Sequence, residues 1–161
     1  MSRAERRLRV LFVTRKWPPA IGGMETYSAE LCTELKKLVD LKVRSLPGQS
    51  DGHPPSLRQL AYFIVGIAAH LLRAGSAYDV VHFGDFVLFP LAWLHSLRAP
   101  RSVRAVTVHG LDLLFGHRKG VAPAVYRAFL RWAVRRRRVA SVILANSVNT
   151  ARIARETGFP H

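Results

Sequence analysis

"LRVLFVTRKWPPAIGGMETYSAEL", Leu8 to Leu31, is the stretch on which the reading of this chain turns. Its first seven residues, Leu8–Thr14, form a short apolar run with β-branched side chains, the pattern of a strand covered on both faces. Two prolines and two adjacent glycines, Gly22 and Gly23, follow, and Met24 then opens a segment with helical spacing to Leu38. In a strand–loop–helix unit, the turn after the strand lies at the edge where α/β proteins bind ligands. Glycine there lets a phosphate or a sugar approach the backbone with no Cβ in the way. The N–H groups and dipole of the helix N-terminus favour an anion at the same place. The glycines would equally serve a tight turn at a helix start, and both readings stand at this point. The spacing is neither GxGxxG nor GxxxxGK[ST], which sets aside the two large nucleotide-binding classes that carry those loops.

The pattern of the first unit repeats along the chain. Asp79–Phe83, Ser102–His109 and Ala140–Asn146 read as further buried strands, and Val39–Leu46 as a weaker one. Helical spacing runs through Ser56–Arg73, Val87–Leu97 (with Pro90 in its first turn), Val121–Arg138 and Ser147–Thr157. Strand–helix alternation of this kind predicts an α/β fold, a Rossmann-like doubly wound parallel sheet with helices on both faces. Pro47–Pro55 has the composition of a mobile loop. Gly158 reads as a helix C-cap, with Pro160 barring continuation.

A length of 161 residues predicts one domain, and 49% hydrophobic residues suffice for a core. Lysine and arginine number 25 against 10 acidic residues, a formal charge of +15. That excess points to anionic partners: phosphate, anionic lipid or nucleic acid. Cys32 is the only cysteine, so no internal disulfide forms, and it falls on the apolar side of its helix as a core thiol. The N-terminal apolar run is too short for a signal-peptide core and Arg15–Lys16 closes it. The apolar segment Leu60–Leu72 falls short of the ~20 residues that span a bilayer. The expectation is a soluble protein, with peripheral membrane association left open.

Three further segments carry candidate chemistry. In "TVHGLD", Thr107–Asp112, His109 stands at the C-terminal end of a strand, where an imidazole can hydrogen-bond a sugar hydroxyl or support developing charge. A histidine merely packed at a strand end has the same signature. In "VVHFGDF", Val80–Phe86, Asp85 either accepts hydrogen bonds from a polyol or caps the next helix, while His82 lies inside the strand and reads as buried. In "VYRAFLRWAVRRRR", Val125–Arg138, the residues Arg127, Arg131 and Arg135 recur at i, i+4 and i+8 with Arg138 close by, a cationic face suited to an anionic membrane or simply solvated. One cysteine and scattered histidines offer no metal-ligand spacing.

Taken in order, "LFVT…PPAIGGMETYSAEL", "DVVHFGDF", "TVHGLD" and "ILANSVNTARI" resemble the N-terminal half of family 4 (group 1) glycosyltransferases of the GT-B fold, over nearly the whole chain. The resemblance implies a two-domain retaining enzyme whose N-terminal domain recognises the acceptor and whose C-terminal domain holds most of the nucleotide-sugar donor. It implies that Gly22 and Gly23 face the donor phosphates and transferred sugar, and that His109 contacts that sugar. Glu25 matches the motif's acid and either caps the helix or touches acceptor. Asp85 and Asp112 occupy loops where family members contact substrate, and Ser147 matches a helix-capping serine. The family's donor-binding half, with its paired glutamates, has no counterpart in these residues. The partners implied are a nucleotide sugar, a glycan or lipid-linked acceptor and the missing domain, with an anionic membrane surface as a candidate. No nucleic acid and no cofactor are expected, and the setting is the cytoplasm, peripheral on the inner face of the plasma membrane. Two other classes remain: a basic α/β module binding nucleic acid or another anion, and a non-catalytic interaction domain.

Overall fold

The computed structural model describes residues 6–49 and 55–159. Five parallel strands form one sheet in the order β2-β1-β3-β4-β5: β1 Arg9–Trp17, β2 Asp40–Pro47, β3 Val80–Phe83, β4 Val103–Val108 and β5 Val142–Ala145. Six α-helices connect or follow them: α1 Gly23–Leu38, α2 Leu57–Ala74, α3 Phe89–Arg98, α4 Gly110–Leu114, α5 Val121–Arg135 and α6 Val148–Thr157. The doubly wound α/β fold expected from the alternation is the fold found. Right-handed crossovers put α1 on one face of the sheet and α2, α3 and α5 on the other.

The core follows from the strand periodicity. Leu11 and Val13 of β1 join a cluster with Ile67 and Leu71 of α2, Phe89 and Ala92 of α3, and Leu130 and Ala133 of α5. Val10 and Phe12 alternate to the opposite face. An aromatic chain ties α3 to α5, with Phe89 edge-on to Trp132 at 5.7 Å and Trp132 edge-on to Trp93 at 6.0 Å. Cys32 is buried and burial pushes its thiol up to about 11, which fits the core role read for it.

Several boundaries differ from the sequence reading. β1 runs on to Trp17, past a register irregularity after Thr14, because Trp17 still pairs with Pro47 of β2. β2 is a full strand, and it alternates in exposure because it forms a sheet edge. β5, at the other edge, alternates as well and is not the doubly covered strand its apolar run suggests. The third helix begins as a 3-10 turn over Phe86–Leu88 and becomes α-helical at Phe89, with Pro90 in its first turn. The expected helix Val121–Arg138 ends at Arg135, and a 3-10 turn over Arg137–Val139 carries Arg138 beyond it.

α2 corrects the reading of Leu60–Leu72 as too short to span a bilayer. A capping box of Ser56 and Gln59 starts the helix where its spacing predicts, ahead of that apolar run, and with the 3-10 turn to Ala77 it reaches 21 residues at a mean hydropathy of 1.4. By length and composition alone that is enough to cross a membrane. Ser147 and Gly158 do cap α6, the first accepting from Thr150 N at 3.1 Å and the second adopting φ +103°. The loop expected to be mobile, Pro47–Pro55, falls mainly on residues 50–54, and Pro160 at the end of the chain; both lie outside the described residues.

Candidate active site at the sheet edge

Parallel strands deliver their C-terminal ends to one edge, and the candidate residues gather there. Arg15 and Lys16 lie near the C-terminal end of β1, and after Trp17 the chain turns through a cis Pro18–Pro19 bond to Gly22 and α1. Gly22 has extended backbone and needs no glycine for its torsions. A Cβ there would lie 2.5 Å from Glu25 Oε2, so Gly22 makes room for that carboxylate. Gly23 differs: a Cβ on it would meet nothing within 4 Å. The protein's own atoms give no reason for a glycine at position 23, which faces open space in front of the helix N-terminus.

Glu25 lies almost buried in the first turn of α1, its Oε1 3.4 Å from Lys16 Nζ, and it makes no capping hydrogen bond. It lines a small cavity of about 180 Å³ together with Arg15, Lys16, Ala20, Ile21, Gly48 and Pro55. Two cations and one carboxylate thus border a hollow beside the glycine loop. Hydroxyls and phosphate oxygens are the groups such a lining can hold.

Asp85 follows β3 and is fully buried. It neither caps the next helix nor offers a surface to a polyol, the two roles the sequence left open for it. Its Oδ1 accepts from Arg15 Nε at 2.9 Å and its Oδ2 from Arg15 N at 3.3 Å. The carboxylate therefore holds the Arg15 guanidinium at the rim of the cavity. Gly84 beside it is required by packing: a Cβ would lie 2.7 Å from Phe12 Cζ and 3.0 Å from Thr14 Cβ.

His109 follows β4 and is nearly buried. Its Nε2 lies 3.2 Å from the carbonyl oxygen of Gly84, which can only accept, so Nε2 carries a proton. The ring meets Tyr27 of α1 edge-on at 5.6 Å. Asp112 Oδ2 accepts from His109 N at 3.1 Å, and Asp112 N donates to His109 O at 2.9 Å. That reciprocal pair starts α4 and fixes the backbone of His109, so Asp112 acts on the site through the histidine. Burial raises the pKa of Asp112, partly offset by the His109 N–H. Tyr126 of α5 holds a buried hydroxyl without a hydrogen-bond partner; burial first, and the charge of Asp112 next, push its pKa up.

Arg127, Arg131 and Arg135 do share a face, but that face borders a groove against α6, of about 430 Å³, with Leu130, Val134 and Ile153. Arg127 Nη1 is committed to the carbonyls of Gly116 and Arg118, at 2.7 and 3.1 Å. Arg138 does not line the groove. His82 is buried as expected, 2.8 Å from Thr107 Oγ1. Arg15, Lys16 and Tyr27 were not singled out from the sequence; for Arg15 and Lys16 the available signal was the pair "RK" closing the first apolar run. Among the described residues, no three His, Cys, Asp or Glu side chains gather as a metal-binding group.

The sequence matches the profile of Glycosyltransferase Family 4 over residues 21–161. The chain belongs to that family. Curated proteins provide no significant match. Among solved structures, HepE from Anabaena, crystallised in complex with UDP and glucose, aligns with a TM-score of 0.58 at 19% sequence identity. The alignment covers 95% of this chain and 42% of HepE, so the chain spans less than half of that protein's length. At this identity the likeness concerns the fold alone, a Rossmann-like parallel sheet with flanking helices.

Proposed function

We propose that this chain forms the acceptor-side half of a glycosyltransferase that moves a sugar from a nucleoside diphosphate sugar to a hydroxyl, with retained anomeric configuration. Membership of the family supports the reaction class. The single observation that carries the site is Gly23, whose missing Cβ serves no packing need at the N-terminus of α1, the helix whose Glu25 lines a cavity with Arg15 and Lys16. A phosphate or sugar of the donor fills that role. Glu25, fixed by Lys16, accepts hydrogen bonds from acceptor hydroxyls at the cavity wall. His109, held at its backbone by Asp112 and at Nε2 by Gly84, offers a positioned ring to the transferred sugar. Rate acceleration then comes from orienting the two substrates and from charge facing the departing diphosphate.

The donor nucleotide is held chiefly by a second domain outside these residues, and the 161-residue chain alone turns over negligibly. HepE, of which this chain matches 42%, binds UDP and glucose, and the length difference supports a second domain here. The acceptor is a glycan or a lipid-linked glycan made at the cytoplasmic face of the plasma membrane. A panel of nucleotide sugars offered to the full-length protein, read by mass spectrometry of released nucleotide and product, tests the reaction. Loss of at least ~100-fold in kcat/KM on His109→Ala is expected. Turnover by the isolated chain at the rate of the longer protein would refute the two-domain part.

A further inference from the structure

We infer that the outer face of α2, continued by α3, is a contact surface for an anionic lipid bilayer. This surface is distinct from the arginine face of α5 that the sequence suggested. Only 17% of the apolar window of α2 is buried, so the helix is not the covered core element that usually explains such composition. Ile67 and Leu71 anchor one side in the core. The other side carries Arg58, Tyr62, Val65, Ala69 and Leu72, spaced by four and three residues and therefore on one stripe. Tyr62 is 79% exposed, Val65 67% and Leu72 45%. On α3, Trp93 and Leu97 are 37% and 66% exposed at i and i+4.

The two outer faces are joined. Arg98 of α3 donates from Nε to Leu72 O at 3.3 Å. The Arg136 guanidinium stacks 5.0 Å from the Trp132 ring, which in turn meets Trp93. The apolar surface is thus rimmed by Arg58, Arg73, Arg98 and Arg136, all exposed. Neither α2 nor α3 contains an acidic residue.

This charge pattern selects the occupant. A second copy of the chain would bring arginine against arginine with no carboxylate on either helix, which opposes pairing through this face. An anionic lipid surface complements it: the apolar stripe enters the headgroup boundary, Tyr62 and Trp93 sit at the interface, and the arginines reach phosphates. α2 lies in the interface plane, since its inner side belongs to the domain core. The inference rests only on the membrane location in the proposed function, and its readout is lipid partition, so it and the transfer reaction fail separately.

The test is flotation of the purified protein with phosphatidylglycerol–phosphatidylcholine vesicles and with pure phosphatidylcholine vesicles. Binding to the first, weakening as salt rises, is expected. Val65→Asp should lower partition more than tenfold, and each arginine removed from Arg58 or Arg73 about fivefold. Because Arg58 and Arg73 are exposed, the double variant Arg58→Glu/Arg73→Glu keeps the question answerable even where Val65→Asp disturbs folding, as circular dichroism would reveal. The inference is overturned by absence of binding to anionic vesicles, or by equal partition of these variants. It is equally overturned by loss of binding only on Arg131→Ala/Arg135→Ala, or by a stable dimer that Val65→Asp dissolves.

Discussion

Replacing Gly23 by alanine separates a glycine kept for folding from one kept for a ligand. A Cβ at this position meets no protein atom within 4 Å, and its backbone is not in the left-handed region. The folded state therefore accepts alanine without strain. Loss of glycine's freedom in the unfolded chain stabilises by about 0.4–1 kcal/mol, a Tm rise of roughly 1–4 °C for a domain of this size. A methyl group would now stand in front of the α1 N-terminus, where a donor oxygen is placed by the account above. A loss of at least ~10-fold in kcat/KM, about 1.4 kcal/mol of transition-state binding, is expected. Gly84→Ala is the contrasting control. Its Cβ would press on Phe12 and Thr14, both fully buried, at 2.7 and 3.0 Å. Overpacking of that kind costs about 1–3 kcal/mol, a Tm fall of roughly 2–12 °C. Thermal denaturation and donor turnover of both variants, made in the full-length protein, give the comparison. A Gly23→Ala enzyme with wild-type kcat/KM would refute the reasoning, as would a Gly84→Ala protein that melts no lower than wild type.

Other expectations follow from the same geometry. Arg15→Ala leaves the fully buried Asp85 carboxylate without its ion-pair partner, at a cost of about 3–5 kcal/mol; adding Asp85→Asn should recover a large part of it in urea denaturation, and no recovery would count against the pair. His82 is buried and desolvation lowers its pKa from 6.5 to about 4. Its contribution to stability is present above pH 6.5 and is lost as pH falls toward 4, by up to ~3 kcal/mol. Unfolding curves at pH 8 and pH 4.5 should therefore diverge more for wild type than for His82→Gln, and equal divergence would contradict the assignment. Asp112→Ala removes the acceptor of His109 N and should reduce kcat more than KM, whereas Asp112→Asn, which keeps an acceptor oxygen, should retain most of the rate.

The strands were legible because β1, β3 and β4 are covered on both faces and so appear as unbroken apolar runs. β2 looked weak for the converse reason: as an edge it alternates, with Lys42 and Arg44 outward and Leu41 and Val43 half-buried. α4 was invisible because five residues make little more than one turn and show no periodicity. The helical spacing of Ser56–Arg73 located α2 to within a residue at each end; only its capacity to span a bilayer was underestimated, because the apolar run Leu60–Leu72 was counted rather than the whole helix. In the site, Gly22, Gly23, Glu25, Asp85, His109 and Asp112 could be found because each follows a strand at the ligand edge. Their roles could not. Asp85 holds Arg15 across 70 residues of sequence, and Asp112 acts on the backbone of His109, and neither link leaves a local pattern. The arginines of α5 were correctly placed on one face, but only packing reveals that the face borders α6 and that Arg127 is tied to loop carbonyls.

The most direct test of the central claim is the product of the full-length protein with its nucleotide sugar, followed by NMR at the anomeric carbon, for wild type and His109→Ala. The account predicts transfer to a hydroxyl with the anomeric configuration of the donor retained, and at least ~100-fold slower turnover in the variant. Transfer with inversion, or turnover indifferent to His109, would contradict it.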